Sequence, residues 1–222
     1  MEKGKSVFTF DDIIALRDKN QPLDIRKNYV ALDFWESCAD YFCKSHQKRD
    51  QFAQNAGWLL HVLSILEPKS ILDVGCGFGR TIPFVIDGLK EKAPQVVFGV
   101  DFCQKMIEGA NEYLKDYPSK DRVKISMVDA RALPYKDGEF ECIYTDSLFT
   151  HLKFSDAQKV ANEIKRVADK YIVTIERFVF DGEHPEPQVF SWDINKFFRL
   201  RVLERKYIGQ GIVGTVLEKV KE

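Results

Sequence analysis

From Ser70 onward, short apolar runs alternate with longer stretches in which apolar positions recur every three or four residues. The runs predict strands near 70–74, 96–101, 123–128, 141–146 and 171–176, and the longer stretches predict helices near 81–90, 103–116 and 155–168. Strand and helix in strict alternation imply a parallel sheet. Toward the end of the chain, Val202 to Ile208 and Ile212 to Val220 read as strands joined by Gly209-Gln210-Gly211, a hairpin. The helix after the fourth strand carries a start signal, because Ser155-Asp156-Ala157-Gln158 has capping-box spacing. Before Ser70 the pattern is helical. Tyr29 to Lys44 is rich in aromatic residues, and Gln51 to Leu66 puts Phe52, Ala56, Leu59, Leu60, Leu63 and Leu66 on one stripe that Pro68 stops.

Composition narrows the class. At 222 residues the chain is long enough for one α/β domain with a modest appendage, and 45% hydrophobic with 30% charged residues is a globular balance. No apolar run approaches the roughly 20 residues of a membrane span, and Met1 to Lys5 lacks the apolar segment of a secretion signal, so no membrane association and a cytoplasmic location are expected. The 33 Lys and Arg nearly balance the 34 Asp and Glu, which gives no general attraction to nucleic acid. Arg199, Arg201, Arg205 and Lys206 read as the solvated face of an edge strand. The five cysteines form no C-x-x-C pair, which suits reduced thiols and no structural zinc.

The most specific chemistry lies in Ile71-Leu72-Asp73-Val74-Gly75-Cys76-Gly77-Phe78-Gly79, an apolar strand running into three glycines. Without a Cβ, a glycine permits a tight turn and the close approach of a ligand across the strand's carboxyl end. The third glycine comes one residue earlier than in the dinucleotide fingerprint, and Arg80-Thr81 follow it. This segment resembles the first motif of the Rossmann-like methyltransferases that use S-adenosylmethionine. Val96 to Asp101 ends in an acid 22 residues after Gly79, followed by Phe102 to Ile107; Asp129 to Pro134 and Asp137 to Tyr144 continue the likeness in the same order, over roughly residues 68 to 220.

The resemblance implies an α/β fold: a Rossmann-like, seven-stranded, mostly parallel sheet with an antiparallel last strand, in three αβα layers. Residues 1–67 would form an N-terminal helical cap and 68–222 the domain that binds S-adenosylmethionine. The alternative for residues 1–67 is an amphipathic pair that simply packs on the sheet. Asp101 would take the ribose hydroxyls, or simply cap the following helix, with Phe102 and Met106 beside it. Asp129 would accept from the adenine amino group, with Ala130 offering its amide; otherwise Asp129 forms a turn. Asp73 would order the loop or reach the methionine amine, and Gly75, Cys76, Gly77 and Gly79 would give clearance. Arg80 would hold the methionine carboxylate or sit exposed at a helix start, and Asp146 and Ser147 would flank the methionine moiety. His151 is placed as a general base, the other reading being a loop histidine.

The segment around Asp146 lacks both the Asn/Asp-Pro-Pro-Tyr pattern of amide and adenine methylation and the Pro-Cys of cytosine methylation. Asp146 and Glu176 end neighbouring strands, a magnesium arrangement in catechol-type enzymes, but nothing supplies a third ligand and no metal is expected. The aromatic stretch Phe178, Phe180, His184, Phe190 and Trp192 suits an apolar pocket for a small-molecule acceptor, or core completion under the hairpin. The expectation is therefore methyl transfer to oxygen or nitrogen of a small molecule by a monomer or homodimer. A nicotinamide-dependent oxidoreductase and a non-catalytic cofactor-binding scaffold are the alternatives.

Overall fold

The computed structural model describes residues 30–46, 53–177, 189–209 and 211–220. The expectations for Phe52, Phe178, Phe180, His184, Gln210 and residues 1–29 lie outside them. In chain order the elements are α1 (Ala31–Ser45), α2 (Ala53–Leu66), β1 (Ile71–Val74), α3 (Thr81–Leu89), β2 (Val97–Asp101), α4 (Gln104–Leu114) and β3 (Val123–Met127). There follow β4 (Phe140–Asp146), α5 (Phe154–Val167), β5 (Ala168–Arg177), α6 (Asn195–Phe198), β6 (Arg201–Gly209) and β7 (Ile212–Glu218).

Seven strands form one sheet in the order β3-β2-β1-β4-β5-β7-β6. The first five are parallel, with Ile71 beside both Val97 and Cys142, while β7 runs antiparallel to β5 and β6. The central strands must be apolar on both faces because helices cover both. Accordingly all four residues of β1 are buried, including Asp73. One face packs Ile71, Val97, Cys142, Tyr144 and Val173 against α2 and α3 through Leu59, Leu63, Ile82 and Ile86. The other packs Leu72, Val100, Ile143 and Ile172 against α5 and α6 through Val160, Ile164 and Phe198. Burying each such leucine or isoleucine stabilises the fold by about 2 kcal/mol relative to exposure. Among the described residues no helix is long and apolar enough to cross a membrane.

Three sequence expectations change. The two helices before Ser70 do different jobs: α2 is part of the layer on the sheet, and only α1 lies away from it, resting on α4 with Ala39 packed against Phe78, Met106 and Ala110. The buried stripe of α2 is Asn55, Trp58, Leu59, Val62 and Leu63, so Ala56 and Leu60 lie to its side; the large Trp58 takes the place that a count of leucines assigns to them. Helix α5 starts at Phe154 with Lys153 as its N-cap and no side-chain cap bond, and Gln158 donates instead to Asn162 one turn on.

The sheet's far edge matches the reading of its charges. Arg201 pairs with Glu218 at 3.1 Å and Arg205 with Asp193 at 2.8 Å along the exposed strand β6. Next to it, β7 approaches α2 so closely that Gly214 has no room for a side chain. A Cβ there would lie 2.5 Å from ring carbons of Trp58. Gly214→Ala should therefore destabilise the protein by about 1–3 kcal/mol through overpacking, read as a lower urea midpoint at unchanged slope. An unmoved midpoint would show that Trp58 can step aside.

Candidate functional site

The turn that leaves β1 can be built only by residues that tolerate left-handed backbone. Gly75, Gly77 and Gly79 have φ of 78°, 53° and 73°. The amides of Gly75 and Cys76 both donate to the Val100 carbonyl, at 2.8 and 3.0 Å, which folds the loop over the end of β2. Asp101 then joins the two strand ends: one carboxylate oxygen accepts from the Gly77 amide at 2.9 Å and the other from the Cys103 amide at 3.0 Å.

The glycines are not equivalent. A Cβ on Gly77 would meet nothing nearer than the Met106 sulfur at 3.9 Å, so its bare Cα faces open space. A Cβ on Gly79 would lie 2.6 Å from Ile125 Cδ1 and 3.4 Å from Leu114 Cδ1. Gly79 is thus required by packing between the loop, α4 and β3. It is absent from the cavity wall, which corrects its expected place beside the cofactor.

That open space is a cavity of about 820 Å³ along the carboxyl ends of the parallel strands. Asp73, Gly75, Cys76 and Gly77 line it from the first strand and its loop, and Asp101, Phe102 and Met106 from the second. Asp129 and Ala130 line it after the third strand, and Asp146, Ser147 and His151 after the fourth. Helix α1 forms a roof with Phe34, Trp35, Phe42 and His46. The roof touches the wall directly, since Trp35 stands edge-on to His151 with ring centroids 4.9 Å apart.

Charge inside the cavity is unbalanced. Asp73 is buried, and desolvation pushes its carboxyl up to about 8; Tyr144 opposes the shift, while Asp146 and Asp101 add to it. Burial also raises Asp101, against the amides of Cys103 and Gly77, and raises Asp146, against Arg80, Ser147 and Asn55. Arg80 is not an exposed helix-start arginine: it lines the cavity, half-buried, and burial lowers it while Asp146 and Asp73 favour its charge. Three carboxylates against this guanidinium leave a low-dielectric cleft that favours protons or a cationic ligand.

Sequence reasoning missed several members. Asn55, buried at the start of α2, donates to Asp146 at 3.3 Å, and no motif announces it. Asp129 makes the turn that its alternative reading foresaw, its Oδ1 accepting from the Arg131 amide at 2.9 Å, and Arg131 clamps the same carboxylate with Nη2 at 2.7 Å. Arg131 also reaches Asp156 on α5 at 3.3 Å, and this pairing holds the Asp129 carboxyl below its ordinary range. Ser147 has φ of 65°, a strained backbone at the end of β4, and its hydroxyl donates to Asp146 at 3.1 Å.

Glu176 lies on the opposite sheet face from Asp146 and outside the cavity wall, accepting from Thr145 and Thr150, so the two acids do not converge on a metal. Of the aromatic stretch, Val189 lines the cavity, whereas Trp192 donates to the Leu152 carbonyl at 3.0 Å and packs on Phe154 and Phe197, completing the core.

Residues 71–170 match the family model described as a methyltransferase domain. Norajmaline N-methyltransferase of Rauvolfia serpentina is 32% identical over 104 residues, which are 46% of this chain and 33% of that protein. The chain spans about a third of the length of the curated relatives it matches. A crystal structure of an S-adenosylmethionine-dependent methyltransferase from Aquifex aeolicus superimposes with a TM-score of 0.65 at 21% identity, covering 81% of this chain and 98% of that one. Human N-acetylserotonin methyltransferase in complex with S-adenosylmethionine gives a TM-score of 0.68 at 12% identity, covering 95% of this chain and 65% of that one.

Two predictions follow from the site's construction. Gly77→Val should abolish binding of S-adenosylhomocysteine, whereas Gly79→Ala should cost stability, by about 1–3 kcal/mol, with affinity retained in the folded fraction. Calorimetry paired with urea unfolding separates the two, and a Gly77→Val protein of normal affinity would remove the loop from the ligand's path. The second concerns pH. Asp73, raised to about 8, and Glu176, raised to about 7, hold protons in the fold that the unfolded chain releases near pH 4. Their contribution is complete below pH 4 and lost as pH rises through 7 to 8, so the ligand-free protein should lose several kcal/mol between pH 5 and 8.5. Asp73→Asn should flatten that slope, and stability rising across the window would contradict a buried neutral Asp73.

Proposed function

We propose that this chain, whose residues 71–170 match a methyltransferase-domain model, is an S-adenosylmethionine-dependent methyltransferase that transfers a methyl group to an oxygen or nitrogen of a small-molecule acceptor. The observation that carries this reading is the bare face of Gly77, open to the cavity beside Asp101 and beneath the aromatic roof of α1. The residues present fit the cofactor. Each Asp101 oxygen accepts one amide and keeps a lone pair for a ribose hydroxyl. Asp129 and Ala130, both in the cavity wall, would meet the adenine edge through a carboxylate and an amide. Asp73 and Asp146 receive the cationic methionine end, and Arg80 lies among them to take its carboxylate.

S-adenosylmethionine supplies a methyl group on an activated sulfonium leaving group, so the chain's own task is placement. Ser147 and Asp146 set one side of the reacting end. Trp35, Phe34 and the apolar residues Leu152 and Val189 exclude water and hold the acceptor against it. His151, within this wall, takes the proton of an acceptor that does not shed it unaided. The relative named for N-methylation of norajmaline supports a small-molecule acceptor, and the described β6 charges, paired along the sheet edge, offer no tract for a polyanion.

Calorimetry should show micromolar binding of S-adenosylhomocysteine and none of NAD, with Asp101→Ala weakening the former by about 2–3 kcal/mol in a folded protein. Labelled methyl transfer to a panel of amines, phenols and carboxylic acids then identifies the acceptor. His151→Ala should slow that transfer by about 10²-fold at constant cofactor affinity and erase the rising limb of its pH profile. A folded protein that binds S-adenosylhomocysteine but methylates nothing would be a scaffold.

A further inference from the structure

Behind the wall that carries His151 lies a buried polar cluster with no place in the cavity itself. Glu176 accepts from the Thr145 hydroxyl at 2.9 Å through one oxygen, and from the Thr150 amide at 2.9 Å and hydroxyl at 3.0 Å through the other. Glu176, Thr145 and Thr150 are all buried, and neither Glu176 nor Thr150 lines the cavity. Thr150 does more than satisfy a carboxylate. Its hydroxyl accepts from the Arg177 amide at 3.1 Å, and its carbonyl accepts from the Phe190 amide at 2.7 Å. One residue thus ties together the turn after β4, the end of β5 and the segment at 189–190 that returns to the cavity.

The connections continue to the roof. Phe190 packs on Phe34 and Cys38 of α1, and the next α1 residue after Phe34, Trp35, stands edge-on to His151, the residue after Thr150. The contacts therefore close a ring: Thr150 to Phe190, Phe190 to α1, Trp35 to His151, and His151 back to Thr150. The buried Glu176 carboxyl anchors this ring at Thr150, and its desolvation is offset by three donors, one from Thr145 and two from Thr150. Such an arrangement stores position rather than stability, because any shift of the turn leaves a buried charge or donor unmatched.

We infer that Glu176, acting through Thr150, is a positioning residue that fixes His151 and the roof helix α1 relative to each other and so sets the shape of the acceptor pocket. The inference rests on the methyl-transfer reading for its functional consequence, but its structural content stands apart from catalysis. Cofactor affinity should change little, since the glycine loop, Asp101 and Asp129 are built on β1, β2 and the segment after β3, whereas Thr150 and Glu176 belong to the turn after β4 and to β5.

Thr150→Val keeps the shape of the side chain and removes the hydroxyl, and Thr150→Ser restores that hydroxyl. Hydrogen exchange should show about tenfold faster exchange in Thr150→Val at 147–152, at 189–192 and in α1, with Thr150→Ser close to wild type. Calorimetry with S-adenosylhomocysteine should give dissociation constants within twofold for all three proteins. With whichever amine or phenol of the panel is methylated, Thr150→Val should raise the acceptor KM and lower kcat/KM about tenfold or more, with the cofactor KM unchanged and Thr150→Ser rescuing the loss. Glu176→Gln is the second variant and should reproduce the exchange pattern. Unchanged exchange at 189–192 and α1 in a folded Thr150→Val protein would overturn the inference, as would a parallel loss of S-adenosylhomocysteine affinity, which would assign the cluster to cofactor binding. Absence of methyl transfer in the wild type would defeat the proposed function alone, and the exchange comparison would still decide this one.

Discussion

The carboxylate of Asp101 is the constraint on which the site depends. It accepts one amide from the loop after β1 and one from the start of α4, so two segments that leave neighbouring strands are held at a fixed separation by a single side chain. Charge-assisted hydrogen bonds of this kind are about twice as strong as neutral ones, and both donors are backbone groups that would otherwise be orphaned. The glycine loop has one hydrogen bond of its own, from the Gly79 amide to the Cys76 carbonyl at 2.9 Å. It is held by the Val100 carbonyl beneath it and by Asp101 beside it. Everything that opens the cavity at Gly77 follows from that fastening.

The same fastening concentrates negative charge. Asp73, Asp101 and Asp146 converge because parallel strands deliver their carboxyl ends to one line, and burial raises all three. An enclosed arrangement of this sort is costly in the ligand-free protein and becomes favourable when a cation enters, so on the proposed reading part of the cofactor's affinity is relief of a penalty already present in the fold. Arg80 tempers the penalty without cancelling it.

Much of the architecture was legible because parallel strands buried on both faces must be apolar throughout, and because Gly75 and Gly77 sit where only glycine serves. All five parallel strands and the terminal hairpin fell within a few residues of their expected limits. What was not legible depended on tertiary partners. Ser155 and Gln158 have capping spacing, yet the chain enters α5 from an extended cap at Lys153, two residues before Ser155, so the box never closes. Gly79 has the same local signature as Gly77, and only the packing of Ile125 and Leu114 assigns it to the core. Asn55 lies 91 residues from Asp146, and no periodicity in the chain links them. Arg131 was read merely as part of a motif, although it is the clamp on Asp129.

The roof helix makes the last point. Helix α1 is fastened to α4: Glu36 accepts from the Gln104 amide at 2.8 Å, Lys105 donates to the Glu36 carbonyl at 2.8 Å, and Ala39 with Trp35, Phe42 and Cys43 packs on Phe78, Cys103, Met106 and Ala110. Its other contacts include Phe34 with Phe190 and Trp35 with His151, which on the proposed reading shape the acceptor side. Methyl transfer draws its acceleration mainly from placement, and an error of about 1 Å can cost about 10²-fold. A roof anchored on α4 and meeting the opposite wall through aromatic contacts keeps one geometry only where that wall is rigid. The buried Glu176 and Thr150 cluster gives that wall its rigidity without placing any further charge in the cavity.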